Sequence, residues 1–226
     1  MKSTALAKLL QLGSQALPIG GYSHSQGLES AVERKWITDE GSVLRWISNV
    51  LQFSIYTFDV PSLFALSHAW LAPDDASVRS LNAEFVATRE SAELRAATLQ
   101  MGFSMRALLY VLPGLPIRTV EILRTLQEPS LPCVWSAASA AWGVDSRDSA
   151  IAYVWSWAEN QVLAAIKTLP LGQSAGQRIL FSLGQSIEPG VAEAQIAHMD
   201  DRSNFTPALA ILSAQHETQY SRLFRS

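Results

Sequence analysis

The chain has 226 residues, a formal net charge of −3 and an isoelectric point near 5.8. It carries no basic stripe of the kind a nucleic-acid binder needs, and its one cysteine, Cys133, excludes an intrachain disulfide and points to a reducing, cytoplasmic setting. Charged residues make up only 16% of the chain, against about 25% in ordinary globular domains, so either the core is thick or some apolar surface is covered by another protein.

In chain order, residues 1–12 hold too short an apolar run for a signal peptide. Residues 17–29 then combine Pro18 with Gly20 and Gly21, which permits a tight loop. Ser23 or Ser25 is placed to cap a helix carrying Leu28, Val32 and Trp36. A helix over 39–54 puts Val43, Trp46, Ile47, Val50 and Leu51 on one face, with Thr38 as its cap. Another starts at Asp59, where Pro61 is tolerated in a first turn, and ends near Ala72. Residues 77–112 form a long helical stretch that Gly102 breaks or kinks. Shorter helices follow over 116–127 and 133–142.

Over 146–169 the residues Ile151, Val154, Trp155, Ala158, Val162, Ala165 and Leu169 recur at three- and four-residue steps, after an N-cap at Asp145. Pro170 and Gly172 stop that helix. Helices over 174–187 and 206–220 complete the chain. Period-two alternation and hairpin turns are absent, and no apolar run is long enough to span a membrane. The reading is an all-α protein of around ten helices in one domain spanning 1–226, with a docking tail at 216–226.

Groups that would carry chemistry are scattered. His24, His68, His198 and His216 fall in no metal-ligand spacing. Cys133 sits in an apolar segment as a small core residue. Neither a phosphate-cradling Gly-x-x-x-x-Gly-Lys-Ser/Thr nor a Gly-x-Ser-x-Gly is present. No catalytic residue, metal ligand or cofactor is assigned.

Three segments stand apart. The first, LPIGGYSHSQGLE (17–29), packs hydrogen-bonding groups from Tyr22 to Gln26 into one loop. The second, KTLPLGQSAGQ (167–177), spaces Gly172 and Gly176, and Gln173 and Gln177, four apart; on a helix, the small pair lets another backbone approach while the amides bond across the contact. The third, HETQYSRLFRS (216–226), interleaves Tyr220, Leu223 and Phe224 with Arg222 and Arg225, the residue types of interface anchors. It reads as a tail that orders on docking, or as a helix end lying on its own core.

These segments, with RE (89–90) and ELR (93–95) between them, resemble the UreF family of urease accessory proteins over nearly the whole chain. Gln15 stands where many relatives have proline, and His24 where many have another aromatic residue. The resemblance implies an all-α, homodimeric, non-enzymatic protein. Its partners would be UreD (UreH), the GTPase UreG and apo-urease, and its role the delivery of nickel. It further implies that Tyr22 and Lys167 contact UreG, and that Glu29 bears on fidelity and the nickel route. Residues His216, Glu217, Tyr220, Arg222, Leu223, Phe224 and Arg225 would engage UreD. Ser25, Gln26, Gly172, Gln173, Gly176 and Gln177 are candidates for dimer or partner contact. Two other readings stay open: a GTPase-activating protein with an arginine finger at Arg178, Arg222 or Arg225, and an all-α metalloenzyme with ligands from separate helices.

Overall fold

A computed structural model describes residues 3–226, and no strand occurs among them. The α-helices are α1 (Ser3–Leu12), α2 (Leu28–Glu33), α3 (Glu40–Val50), α4 (Val60–Leu71), α5 (Asp75–Ala87) and α6 (Ala92–Val111). They continue as α7 (Ile117–Thr125), α8 (Leu131–Trp142), α9 (Ser146–Thr168), α10 (Gln173–Ile196) and α11 (Pro207–His216). The all-α class is as the periodicity reads it.

Local chemistry starts these helices. Asp39 and Ser42 form a reciprocal capping box at α3, so Asp39 and not Thr38 is the cap. Asp145 accepts from the backbone N–H groups of Arg147 and Asp148 at α9. At α2 neither Ser23 nor Ser25 is the cap: Gly27, left-handed at φ 83°, takes that place. The sequence reading missed α1.

Residues 39–54 and 59–72 do not form two separate helices. A π-helical stretch, Leu51–Asp59, joins α3 to α4 in one continuous rod. Pro61 has no N–H to offer the Thr57 carbonyl four residues back, and that carbonyl accepts instead from Ser203 N at 3.1 Å. The rod tolerates its proline because a loop from far along the chain supplies the missing donor. α10 contains Pro189 and runs past the expected end at Ile187; beside the proline the Tyr56 hydroxyl donates to the Ser186 carbonyl at 3.3 Å.

Gly102 does not break its helix. The break falls at 88–91, and α6 runs uninterrupted across the glycine. A Cβ at 102 would collide with the Pro129 carbonyl, so the glycine serves close approach. α8 is the central helix, buried along nearly its whole length against α4, α6 and α9. Its indole and hydroxyl groups are satisfied inside: Trp135 Nε1 donates to Ser149 Oγ at 3.0 Å, and Ser139 and Ser149 share a 2.6 Å bond. α9 crosses this core and presents Trp157, Asn160 and Lys167 towards the N-terminal loop.

Candidate docking site

The N-terminal loop is folded by α9. Asn160 Nδ2 donates to the carbonyls of Gly21 (2.8 Å) and His24 (3.1 Å). Trp157 Nε1 donates to Gln26 Oε1 at 2.6 Å. Gly20, Gln26 and Gly27 all have positive φ, which turns the loop sharply twice. His24 and Ser25 end up buried while Tyr22 stays exposed. The polar groups of Ser25 and Gln26 are therefore used within the chain.

The C-terminal segment lies on this loop, so of the two readings of the tail the structure shows it resting on its own core. Expected as one helix to Tyr220, the segment leaves the helix at His216. The backbone N–H of Arg225 donates to the Ser23 carbonyl at 2.8 Å. The N–H groups of Ser25 and Gln26 both donate to the Ser226 carbonyl, and the Ser226 hydroxyl lies 2.6 Å from His24 Nδ1. Glu29, on α2, clamps the segment from below. Its Oε1 accepts from Leu223 N (2.7 Å) and its Oε2 from Phe224 N (3.0 Å).

His216 bridges two carboxylates. Its Nε2 lies 3.1 Å from Glu29 Oε2 and its Nδ1 2.7 Å from Glu93 Oε2. Each ring nitrogen is thus within hydrogen-bond distance of one carboxylate. Arg222 adds a guanidinium, 3.0 Å from the other oxygen of Glu93. Two carboxylates, an imidazole and a guanidinium share one hydrogen-bonded set, in which the buried polar groups have partners. Glu217 joins from outside, accepting from Ala92 N at 3.0 Å at the start of α6.

Phe224 is buried, while Tyr220, Leu223 and Arg225 are exposed. Lys167 Nζ, on the exposed end of α9, sits 5.7 Å from the ring centres of both Tyr22 and Phe224, a cation–aromatic corner. The pair Gly172 and Gly176 does not make a helical stripe open to another backbone. Gly172 precedes α10 as its N-cap, and Gly176 is buried against Ile166 and Val162 of α9. Gln173 and Gln177 remain exposed. Arg178 is held by both oxygens of Glu40, at 2.9 and 2.6 Å.

Burial shifts two side chains strongly, one in the loop and one in α8. Burial, with Arg225 nearby, pushes the His24 imidazole down to about 4, and its Nε2 has no partner among the described residues. Burial pushes the Cys133 thiol up to about 12, which keeps it from acting as a nucleophile. Among the described residues no group of histidine, cysteine or carboxylate side chains is arranged to hold a metal ion. Glu29, His216 and Glu93 are close, but the ring stands between the carboxylates, so the three cannot converge on one ion.

Sequence reasoning gave Glu93 no role of its own, although ELR (93–95) was marked in the chain. It also missed Asn160 and Trp157. Their signal was available only as polar groups flanking the apolar stripe of α9.

The fold and site define an all-helical protein whose distinctive polar network joins its N-terminal loop, α6 and C-terminal segment into one face. A family model described as UreF matches residues 37–184. The urease accessory protein UreF of Dechloromonas aromatica (strain RCB) is 52% identical over 222 residues, covering 98% of this chain and 97% of its own. That of Azoarcus sp. (strain BH72) is 49% identical over 224 residues, covering 98% and 95%. That of Janthinobacterium sp. (strain Marseille) is 42% identical over the full length of both chains. The chain belongs to the UreF family of urease accessory proteins.

Proposed function

We propose that this chain is a non-enzymatic adaptor that binds UreD (UreH) and the GTPase UreG, as a homodimer, and helps bring nickel to apo-urease. One observation carries this reading. The four segments that mark the family, separated by up to about two hundred residues, meet at one corner built from Tyr22, Glu29, Glu93, Lys167 and the C-terminal segment. The buried side chains His216, Phe224 and Glu29 anchor that corner. Tyr220, Leu223 and Arg225 then form the UreD-facing surface, and Tyr22 and Lys167 the UreG-facing one. Gln173 and Gln177 are the exposed amides left for a dimer or partner contact. Arginine and aromatic side chains on a preorganised surface suit tight docking, since less ordering entropy is lost on binding.

Co-purification tests it. A chain ending at Tyr220 loses UreD, and Lys167→Ala loses UreG while keeping UreD. Normal recovery of UreD by the shortened chain, or of UreG by Lys167→Ala, contradicts the assignment.

A second reading, GTPase activation, is favoured by one observation: Arg178 and Arg222 are held in ion pairs, whereas Arg225 is exposed with no side-chain partner among the described residues. Single-turnover GTP hydrolysis by UreG with and without the chain decides it, since an arginine finger raises that rate by about 10³-fold or more.

A further inference from the structure

Asp59, the last residue of the π-helical stretch, is buried beneath the N-terminal loop. Its Oδ1 lies 3.3 Å from Arg89 Nη2 and its Oδ2 accepts from the Tyr153 hydroxyl at 3.4 Å. Both bonds are long, since charge-assisted bonds of good geometry run to about 2.7–2.9 Å. Arg89 Nε is buried with no partner among the described residues. A cavity of about 90 Å³ opens beside the pair, lined by Asp59, Arg89, Tyr153, Ser54 and Asn204 among others. One water needs only about 10–15 Å³ of such space. The two charged groups are thus under-satisfied and face room for a small molecule.

Arg89 does not depend on Asp59 alone. Its guanidinium carbon lies 4.2 Å from the centre of the Phe85 ring and 5.3 Å from that of Phe58, which favours the cation whatever the state of the carboxyl. The planar fork of an arginine matches a carboxylate edge. The obstacle to an incoming anion is the Asp59 charge, and that is removed by one proton.

We propose that this cavity binds a small carboxylate anion on the guanidinium of Arg89, with Asp59 taking up one proton from solvent as the anion enters. Neutralised, the carboxyl can donate a hydrogen bond to the anion or to Tyr153. The net burial is of one anion and one proton, and no covalent bond changes. Burial drives the Asp59 carboxyl above its ordinary range, against the opposing pull of Arg89, so the neutral form is within reach. The other charged groups facing this region are Glu90 at the cavity wall and Arg202, 5.5 Å from the Phe58 ring and itself paired with Glu84 at 2.5 Å. Tyr22, Gln26, Trp157 and Asn160 of the docking corner also line this cavity, but binding there requires none of the proposed partners.

The test is titration of the full-length chain with sodium formate, against sodium chloride at equal ionic strength, followed by calorimetry and by amide and side-chain chemical shifts. Formate stays ionised at pH 5.5 and 7.5. The proposal predicts saturable binding beyond the chloride effect at pH 5.5 and an affinity that falls by up to about a hundredfold by pH 7.5, one proton per anion. Asp59→Asn, which mimics the neutral acid, keeps formate binding and flattens this pH dependence. Arg89→Ala abolishes binding, and the milder Arg89→Lys weakens it severalfold. Formate acting no differently from chloride at pH 5.5, equal affinity at the two pH values, or binding that survives in Arg89→Ala overturns the proposal. The wild-type comparison stands alone if a variant fails to fold.

Discussion

Glu29 and Asp59 are both buried carboxylates with a ring-bearing partner, His216 and Tyr153 respectively, yet they are treated in opposite ways. Glu29 accepts from two backbone N–H groups and lies against an imidazole nitrogen, all at 2.7–3.1 Å, and its network continues through His216 to Glu93 and Arg222. Asp59 has one guanidinium at 3.3 Å and one hydroxyl at 3.4 Å, beside an open cavity. A saturated buried carboxylate locks two pieces of chain together. An unsaturated one leaves a group that can change state. Burial alone therefore does not separate a structural charge from a responsive one; the number and length of its hydrogen bonds do.

The comparison breaks most readily at Glu29. Glu29→Ala strands His216 and two tail N–H groups, and removing one member of a buried pair costs about 3–5 kcal/mol. Limited proteolysis then cuts the tail far faster than in the wild type, while the helical core keeps its circular dichroism.

The next effect comes from acid. His24 is held neutral down to about 4, whereas the unfolded chain takes up its proton near 6.5. Its contribution is complete above pH 6.5 and is lost as pH falls towards 4, by about 3 kcal/mol in all. Asp59 works with the opposite sign: its raised carboxyl favours the folded state at low pH and loses that contribution as pH rises. Urea midpoints between pH 7 and 4 fall for the wild type, and His24→Phe flattens the fall.

Asp59→Asn is a smaller perturbation. Because its surroundings already disfavour the charge, the amide changes stability at pH 7 by no more than about 1 kcal/mol, which urea unfolding resolves. A loss comparable to that of Glu29→Ala would erase the distinction between the two carboxylates. Lys167→Ala lies at the bottom of the scale. Its ammonium is exposed, and such surface changes stay within about 0.5 kcal/mol, so thermal unfolding is unchanged even where partner binding is lost.

Much of the helical order was legible, because period and caps are local: Asp145 and the Pro170–Gly172 stop act within one turn, and the cap of α3 was misplaced by only one residue, Thr38 for Asp39. What failed was punctuation whose meaning is tertiary. Pro61 reads as a helix start until Ser203 is found donating to Thr57. Gly102 reads as a break until Pro129 is found against it. The site divides along the same line. Tyr22, Glu29, Lys167 and the tail were singled out by composition and resemblance. The link of Glu29 to Glu93 through His216 joins positions far apart in the chain and exists only once α2, α6 and α11 have packed. Asp59 gave no signal, since a carboxylate before a proline looks like a helix beginning.

The claim on which this account rests is that Glu29 fixes the C-terminal segment to the N-terminal loop. Residue-resolved amide hydrogen exchange at Leu223 and Phe224 tests it most directly. Both N–H groups donate to the Glu29 carboxylate, so both are protected in the wild type and exchange freely in Glu29→Ala. Exchange at the rate of an unstructured peptide in the wild type, or protection that survives the loss of the carboxylate, would contradict it.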